Sequence, residues 1–352
     1  MSPSRAKYDA LTATDLCPQI TVTRQLPANL READLELFSH ELGTTIPPTQ
    51  LLRVDNVRIT AEGILIRGGK ILPESFAFPY LRDQWKMRSV LKLLGQSYLL
   101  NKVRAIPEEV VWITDAWSTG YFHWLGDVLP KLFLISDLAR ERILLLPHAY
   151  ANFDFVRASL KAFDVQNVQF ISADEVVRCQ TVLLPTPVAP SGHFRDDIIK
   201  GVRRQLLEHV GSDLPGIERR VYISRARAPK RKIANEADVR AVLQKFDFET
   251  IYAEDLTFED QVRLLSQARY LVSNHGAGLT NMLFLKSGGS VLELRHHTDR
   301  INNCYFIFAS ALDLKYFYQA CEPSHPGEDP HTADLIVDPG VFEKNLRLVT
   351  GE

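Results

Sequence analysis

The segment from Tyr270 to Leu294, YLVSNHGAGLTNMLFLKSGGSVLEL, most constrains what this chain folds into. It reads as a short buried strand (YLVS), a glycine turn (NHGAG), a helix (LTNMLFLK) and a second strand (SVLEL). Such a unit presents backbone N–H groups to a bound phosphate. Gly276 and Gly278 allow a sharp turn and a close backbone approach, and His275 adds a polar side chain at the mouth. Glycine turns between strand and helix are also common punctuation, so the unit gains meaning from its neighbours.

Those neighbours alternate strand and helix. Val221–Ser224 reads as a strand, Glu236–Phe246 as a helix with Asn235 as N-cap, and Glu249–Ala253 as a strand. Val239, Val242, Leu243 and Phe246 recur at helical spacing and predict one buried face. Thr257 with Asp260 resembles a capping box opening a helix over 258–268. A helix over 302–312 and a strand over 315–318 follow the glycine unit. Strands separated by single helices predict parallel crossovers, whose ligands bind at the carboxyl ends of the strands. Ser224-Arg225 and Asn274-His275 both stand just past a strand, so the basic run RARAPKRK and the glycine turn are expected to converge on one crevice.

The N-terminal half has a different start. Residues 1–50 read as a polar lead-in with one short helix over 33–42, and 51–72 alternates as antiparallel hairpins. Strands then follow over 110–113, 143–146, 168–171 and 181–184, with helices over 121–138, 153–163 and 195–209. GSDLPG at 211–216 is expected to be the joint between an acceptor-side domain (1–210) and a Rossmann-like domain (211–352), whose last helix packs back on the N-terminal domain.

Composition narrows the function classes. A 45% hydrophobic, 24% charged chain of 352 residues suits two globular domains, and a net charge of −2 argues against a nucleic-acid binder. Cys17, Cys179, Cys304 and Cys321 show no paired spacing, which predicts free thiols in a reducing compartment. No apolar run reaches membrane-spanning length and the N-terminus lacks a signal-like core, so a cytoplasmic protein is expected. Metal binding is not expected: Asp247 and Glu249 sit on a turn into a strand, and His296 and His297 are expected to point apart.

Three groups of residues suit chemistry. Arginines in the basic run would clamp a diphosphate bidentately, against the alternative of a solvated loop. Glu293 lies in an otherwise apolar strand, where a carboxylate needs a partner, either a sugar hydroxyl or an internal arginine. His123 and Asp127 in GYFHWLGDVLPKL share a helix face and suit a general base with its orienter, against the alternative of a satisfied core helix. Pro130 makes that helix irregular.

HWLGDVLPKL, VYISRARAPKRKIANE and ARYLVSNHGAGLTNMLFLKSGGSVLEL, in that order and spacing and followed by NNCYFIFASALDLKYFY, resemble glycosyltransferase family 61 over roughly residues 110–318. The resemblance implies a GT-B-like α/β fold, two Rossmann-like domains facing across a cleft, and an inverting, metal-independent transfer. Its donor would be a nucleoside-diphosphate sugar, UDP-linked, with no further cofactor. By the match of motifs it implies donor binding by Arg225, Arg231, Asn235, His275, Gly276, Ala277, Gly278, Leu279, Thr280 and Glu293, with Asp127 as base and His123 orienting it. Without anchor or signal, the expected member is bacterial and cytoplasmic, peripheral at the inner membrane, and builds polysaccharide on a glycan or lipid-linked acceptor. The alternative from a different class is a nucleotide-sugar-binding regulator without turnover. An NAD-dependent oxidoreductase is disfavoured, since no G-x-G-x-x-G follows the relevant strand.

Overall fold

The computed structural model describes residues 11–78, 81, 95, 102–211 and 218–352. These fall into two compact mixed α/β units, one comprising the chain up to Ile20 with Ile46–Ser191, the other Thr21–Thr45 with Gly192–Glu352.

In chain order the first strands are β1 (Leu11–Cys17), β2 (Ile20–Thr23), β3 (Gly43–Ile46), β4 (Thr49–Thr60), β5 (Leu65–Arg67) and β6 (Lys70–Ile71). They are followed by β7 (Lys102–Val111), β8 (Ile143–Pro147), β9 (Val168–Ile171) and β10 (Glu175–Pro185). The first unit holds one sheet in the order β6-β5-β4-β10-β7-β8-β9, with β1 also on β4. The expected hairpins form β4, β5 and β6, which pair antiparallel. The block β10-β7-β8-β9 is parallel. β8, ILLLP, is buried at every residue, as a strand covered on both faces requires. Val111 of β7 lies opposite Leu183 of β10, so the chain leaves these parallel neighbours in the same direction.

The helix expected over 121–138 is interrupted. Tyr121–His123 is α-helical, Trp124–Val128 widens into a π turn, and α-helix resumes at Leu129–Leu134 and Ser136–Glu141. Pro130 has no N–H to donate four residues back, which loosens the ladder there.

The second unit carries β11 (Arg219–Ile223), β12 (Glu249–Ile251), β13 (Ala268–Asn274), β14 (Ser290–His296), β15 (Lys315–Pro323) and β16 (Leu335–Ile336). Their order is β12-β11-β13-β14-β15-β16, parallel throughout except for β16. From β11 the chain places β12 on one side and then returns to add β13 on the other. The carboxyl ends of β11 and β13 therefore flank a topological switch point, where open α/β sheets bind ligands. The expected helix face is buried, with Val239, Val242, Leu243 and Phe246 in one cluster with Phe342, Leu346 and Val349. Thr257 caps its helix as predicted, its hydroxyl accepting from the Asp260 amide at 3.1 Å.

Several expectations need correction. The helix Asp196–Val210, assigned from sequence to the first domain, packs on the helices Phe258–Ser266 and Cys304–Ala311 of the second unit. Its buried Ile198, Ile199, Val202 and Leu206 supply the apolar face that requires this. The expected joint at 211–216 lies outside the described residues except for Gly211, a left-handed C-cap with φ of 67°. The last helix, Pro339–Thr350, packs on β15 and the helix Glu236–Lys245 of its own unit, where Phe342, Leu346 and Val349 are buried. The helix expected over 279–286 is a 3₁₀ helix, Ala277–Phe284. Asn235 makes no side-chain cap; it accepts from the Val337 amide at 3.0 Å and donates to the Val337 carbonyl at 2.8 Å.

Candidate functional site

In the second unit the glycine turn leaves β13 directly. Asn274 ends the strand, the His275 amide still bonds the Leu294 carbonyl at 2.9 Å, and the 3₁₀ helix begins at Ala277. Arg225 leaves β11 beside it. A Cβ on residue 276 would stand 2.7 Å from Arg225 Cζ, so only glycine lets the guanidinium lie over this backbone. Gly278 approaches Ile223 in the same way, 3.0 Å from its Cγ2. The expected convergence of basic run and glycine turn is present.

Arg225 is held by backbone carbonyls, donating through Nε to Arg231 at 3.4 Å and through Nη2 to Lys230 at 3.3 Å. Asn274 Nδ2 also donates to the Arg231 carbonyl. Among the described residues neither Arg225 nor Arg231 forms an ion pair, and Arg231 Nε is buried without a hydrogen-bond partner. Burial first, then the neighbouring Arg231 charge, press the Arg225 pKa below the ordinary arginine value. Arg227, by contrast, is paired with Asp255 and stacked on Tyr252. Two half-buried guanidinium groups with no carboxylate in ion-pair contact among the described residues suit a dianion.

Glu293 takes internal hydrogen-bond partners other than the expected arginine. It is fully buried, accepting from His275 Nδ1 at 2.5 Å on one oxygen and from the Tyr316 hydroxyl on the other. Burial raises its pKa, but the His275 charge and hydrogen bond, Arg295 and Tyr316 together hold it below the ordinary carboxylate value. Burial and the Glu293 charge push the Tyr316 phenol well above its own. Glu293 thus fixes the His275 ring, which also meets Tyr305 edge-on at 5.0 Å. With Glu293 as acceptor, Nδ1 carries a proton and Nε2 is left for other partners.

The remaining expected donor residues divide. Leu279 donates its amide to the Gly276 carbonyl at 2.9 Å, and the Leu279 and Thr280 side chains are buried. Gly276, Ala277 and Gly278 stand at the cap and first turn of the 3₁₀ helix, where N–H groups lack intrahelical acceptors. Asn235 is committed to Val337, as described. His296 and His297 do not point apart: β14 ends at His296, and the two rings stack with centroids 4.9 Å apart. No group of three or more metal-ligating side chains occurs among the described residues.

In the first unit the π turn brings His123 and Asp127 together. His123 Nδ1 lies 2.8 Å from Asp127 Oδ2, and the side chains are 26% and 13% exposed. Ser191, from the loop after β10, donates to the same Oδ2 at 2.7 Å and lies 3.2 Å from His123 Nδ1. The half-exposed Trp117 ring stands 5.2 Å from the imidazole. Sequence reasoning missed Ser191, Tyr316 and Tyr305. A serine in a proline-rich loop and two tyrosines in apolar segments carry no local signal, because their partners lie 23 or more residues away.

Residues 121–292 match the family model described as Glycosyltransferase 61. Human protein O-linked-mannose beta-1,4-N-acetylglucosaminyltransferase 2 is 47% identical over 72 residues, 20% of this chain and 12% of that protein. The Xenopus laevis protein of the same name is 49% identical over 72 residues, with the same coverage. The Drosophila melanogaster EGF domain-specific O-linked N-acetylglucosamine transferase is 32% identical over 121 residues, 31% of this chain and 23% of that protein. The matches thus span at most about a quarter of these relatives' lengths. All three are animal proteins, which lends the expected bacterial source no support. Between Tyr121 and Leu292 the chain is thus similar to the glycosyltransferase 61 family.

Proposed function

We propose that this protein is an inverting, metal-independent glycosyltransferase of GT-B type, moving a sugar from a nucleoside-diphosphate donor to a glycan hydroxyl. The observation that carries this reading is the Arg225 guanidinium laid over Gly276 at the switch point of the second sheet, with Arg231 beside it and no carboxylate paired to either among the described residues. As the diphosphate leaves it gains negative charge, and the two guanidinium groups, the amides of Gly276–Gly278 and His275 would stabilise it in place of a divalent cation. The donor-facing set narrows to these residues, since Glu293 and Asn235 have internal partners.

In the first unit the pair His123–Asp127 supplies the general base for the acceptor hydroxyl. The matched relatives are named for N-acetylglucosamine, which makes UDP-N-acetylglucosamine the first donor to try. Their names also favour a sugar or hydroxyl carried on protein as acceptor. A lipid-linked polysaccharide precursor at the cytoplasmic membrane face is the acceptor of the bacterial reading. No helix among the described residues is long and apolar enough to cross a membrane.

The test is a thermal-shift titration with UDP and UDP-N-acetylglucosamine in EDTA, followed by donor hydrolysis under the same conditions. A concentration-dependent rise in Tm that ignores chelation is expected. No rise with any nucleoside diphosphate, or a rise only with divalent metal, overturns the reading. Binding without turnover of any donor places the protein with nucleotide-sugar-binding regulators.

A further inference from the structure

We infer that His123, not Asp127, takes the acceptor's proton, and that Asp127 and Ser191 are positioning residues that hold its ring; this rests on the transferase reading above. Asp127 Oδ2 is the shared acceptor of the cluster. Ser191 Oγ donates to it at 2.7 Å and His123 Nδ1 lies 2.8 Å away. An ionised carboxylate only accepts, so Nδ1 carries the ring proton and Nε2 presents a lone pair. Nε2 has no hydrogen-bond partner among the described residues, and the imidazole is twice as exposed as the carboxylate, 26% against 13%.

The ring is braced on its other sides by Trp117, at 5.2 Å, and Phe122, at 5.3 Å. A Cβ on Gly120 would come within 3.2 Å of His123 Cδ2, so a small residue at the helix start leaves the ring its place. His123 and Asp127 repeat the imidazole–carboxylate part of a nucleophile–imidazole–carboxylate triad, with the acceptor hydroxyl in place of the nucleophile. In the step, the acceptor O–H proton passes to Nε2 and the acceptor oxygen bonds the anomeric carbon. The bond from that carbon to the diphosphate oxygen breaks, and its electron pair leaves with the nucleoside diphosphate. The imidazolium so formed is matched by Asp127.

Two measurements test this on the full chain. In protein labelled with ¹⁵N-histidine, with His123 assigned by His123→Gln, the neutral ring is expected to be protonated at Nδ1 and bare at Nε2, and Asp127→Ala should abolish that preference. A ring protonated at Nε2 in the native protein overturns the proposal, whatever the donor. In turnover of UDP-N-acetylglucosamine by water, His123→Gly is expected to lose about 10²–10⁴-fold in kcat and to recover part of it with added imidazole. Asp127→Asn should lose less, and Ser191→Ala only a few-fold, each with donor KM unchanged. Rescue of Asp127→Gly by formate with no rescue of His123→Gly by imidazole returns the base to Asp127 and leaves the transferase reading intact. A wild-type protein that neither binds UDP nor consumes the donor removes that reading, and the role of His123 with it.

Discussion

His123 and His275 each hand Nδ1 to a carboxylate, at 2.8 Å and 2.5 Å, the first from the helical turn that follows β7, the second directly past the carboxyl end of β13. Their surroundings differ. Asp127 is partly exposed and shares its oxygen with a serine, amid aromatic rings. Glu293 is fully buried, braced by Tyr316 and within the field of Arg295, and its histidine stands in the turn over which Arg225 lies. The same local pair therefore presents a lone pair in one unit and belongs to a cationic cluster in the other. What surrounds an imidazole–carboxylate pair, not the pair itself, decides whether it suits proton removal or anion binding.

Substitutions separate the two settings. The largest effect is expected from Arg225→Ala, which should weaken UDP binding about 100-fold, as loss of charge-assisted bonds of about 1.5–3 kcal/mol implies. His123→Gln should leave the same Kd within twofold. Equal losses in a UDP titration would erase the distinction drawn between the two clusters.

Glu293→Gln is next, expected to cost about 1–3 kcal/mol of folding stability, because a buried donor then loses its acceptor. The sign with pH follows from the lowered Glu293 pKa. The unfolded chain binds the proton first as pH falls, so this contribution is fully present above the ordinary glutamate range. It is lost as pH falls through the folded value. Urea melts of wild type and variant should keep their gap from pH 7 down to the ordinary glutamate range and converge only below it. A constant gap would mean that Glu293 does not titrate in the way its partners dictate.

Gly276→Ala sharpens the close approach. Its Cβ must displace the Arg225 guanidinium, and about tenfold weaker UDP binding with little change in Tm is expected. Unaltered affinity would show that the guanidinium need not lie there. Smallest is Thr257→Ala, which removes a cap remote from both clusters and should cost about 1 kcal/mol with UDP affinity unchanged.

Much of the second unit was legible. Periodicity over Val239–Phe246 predicted a face that is buried, and the spacing of Ser224-Arg225 and Asn274-His275 placed both at neighbouring strand ends. Legibility failed where a polar residue had more than one plausible partner. Asn235 stood at a helix start but bonds Val337, 102 residues away, and Glu293 took a histidine and a tyrosine as hydrogen-bond partners in place of an arginine. The π turn was half legible, since Pro130 announced an irregular helix but not that it would bring His123 onto Asp127.

By itself the sequence determined the elements and their turns, because side-chain periodicity, glycine conformational freedom and proline's missing N–H act over a few residues. Only the tertiary structure decided the roles of the polar side chains. Asp127 meets Ser191 across 64 positions and Glu293 meets Tyr316 across 23. A buried or partly buried polar group takes whichever partner packing brings within hydrogen-bond distance, and that distance is not encoded in any local pattern.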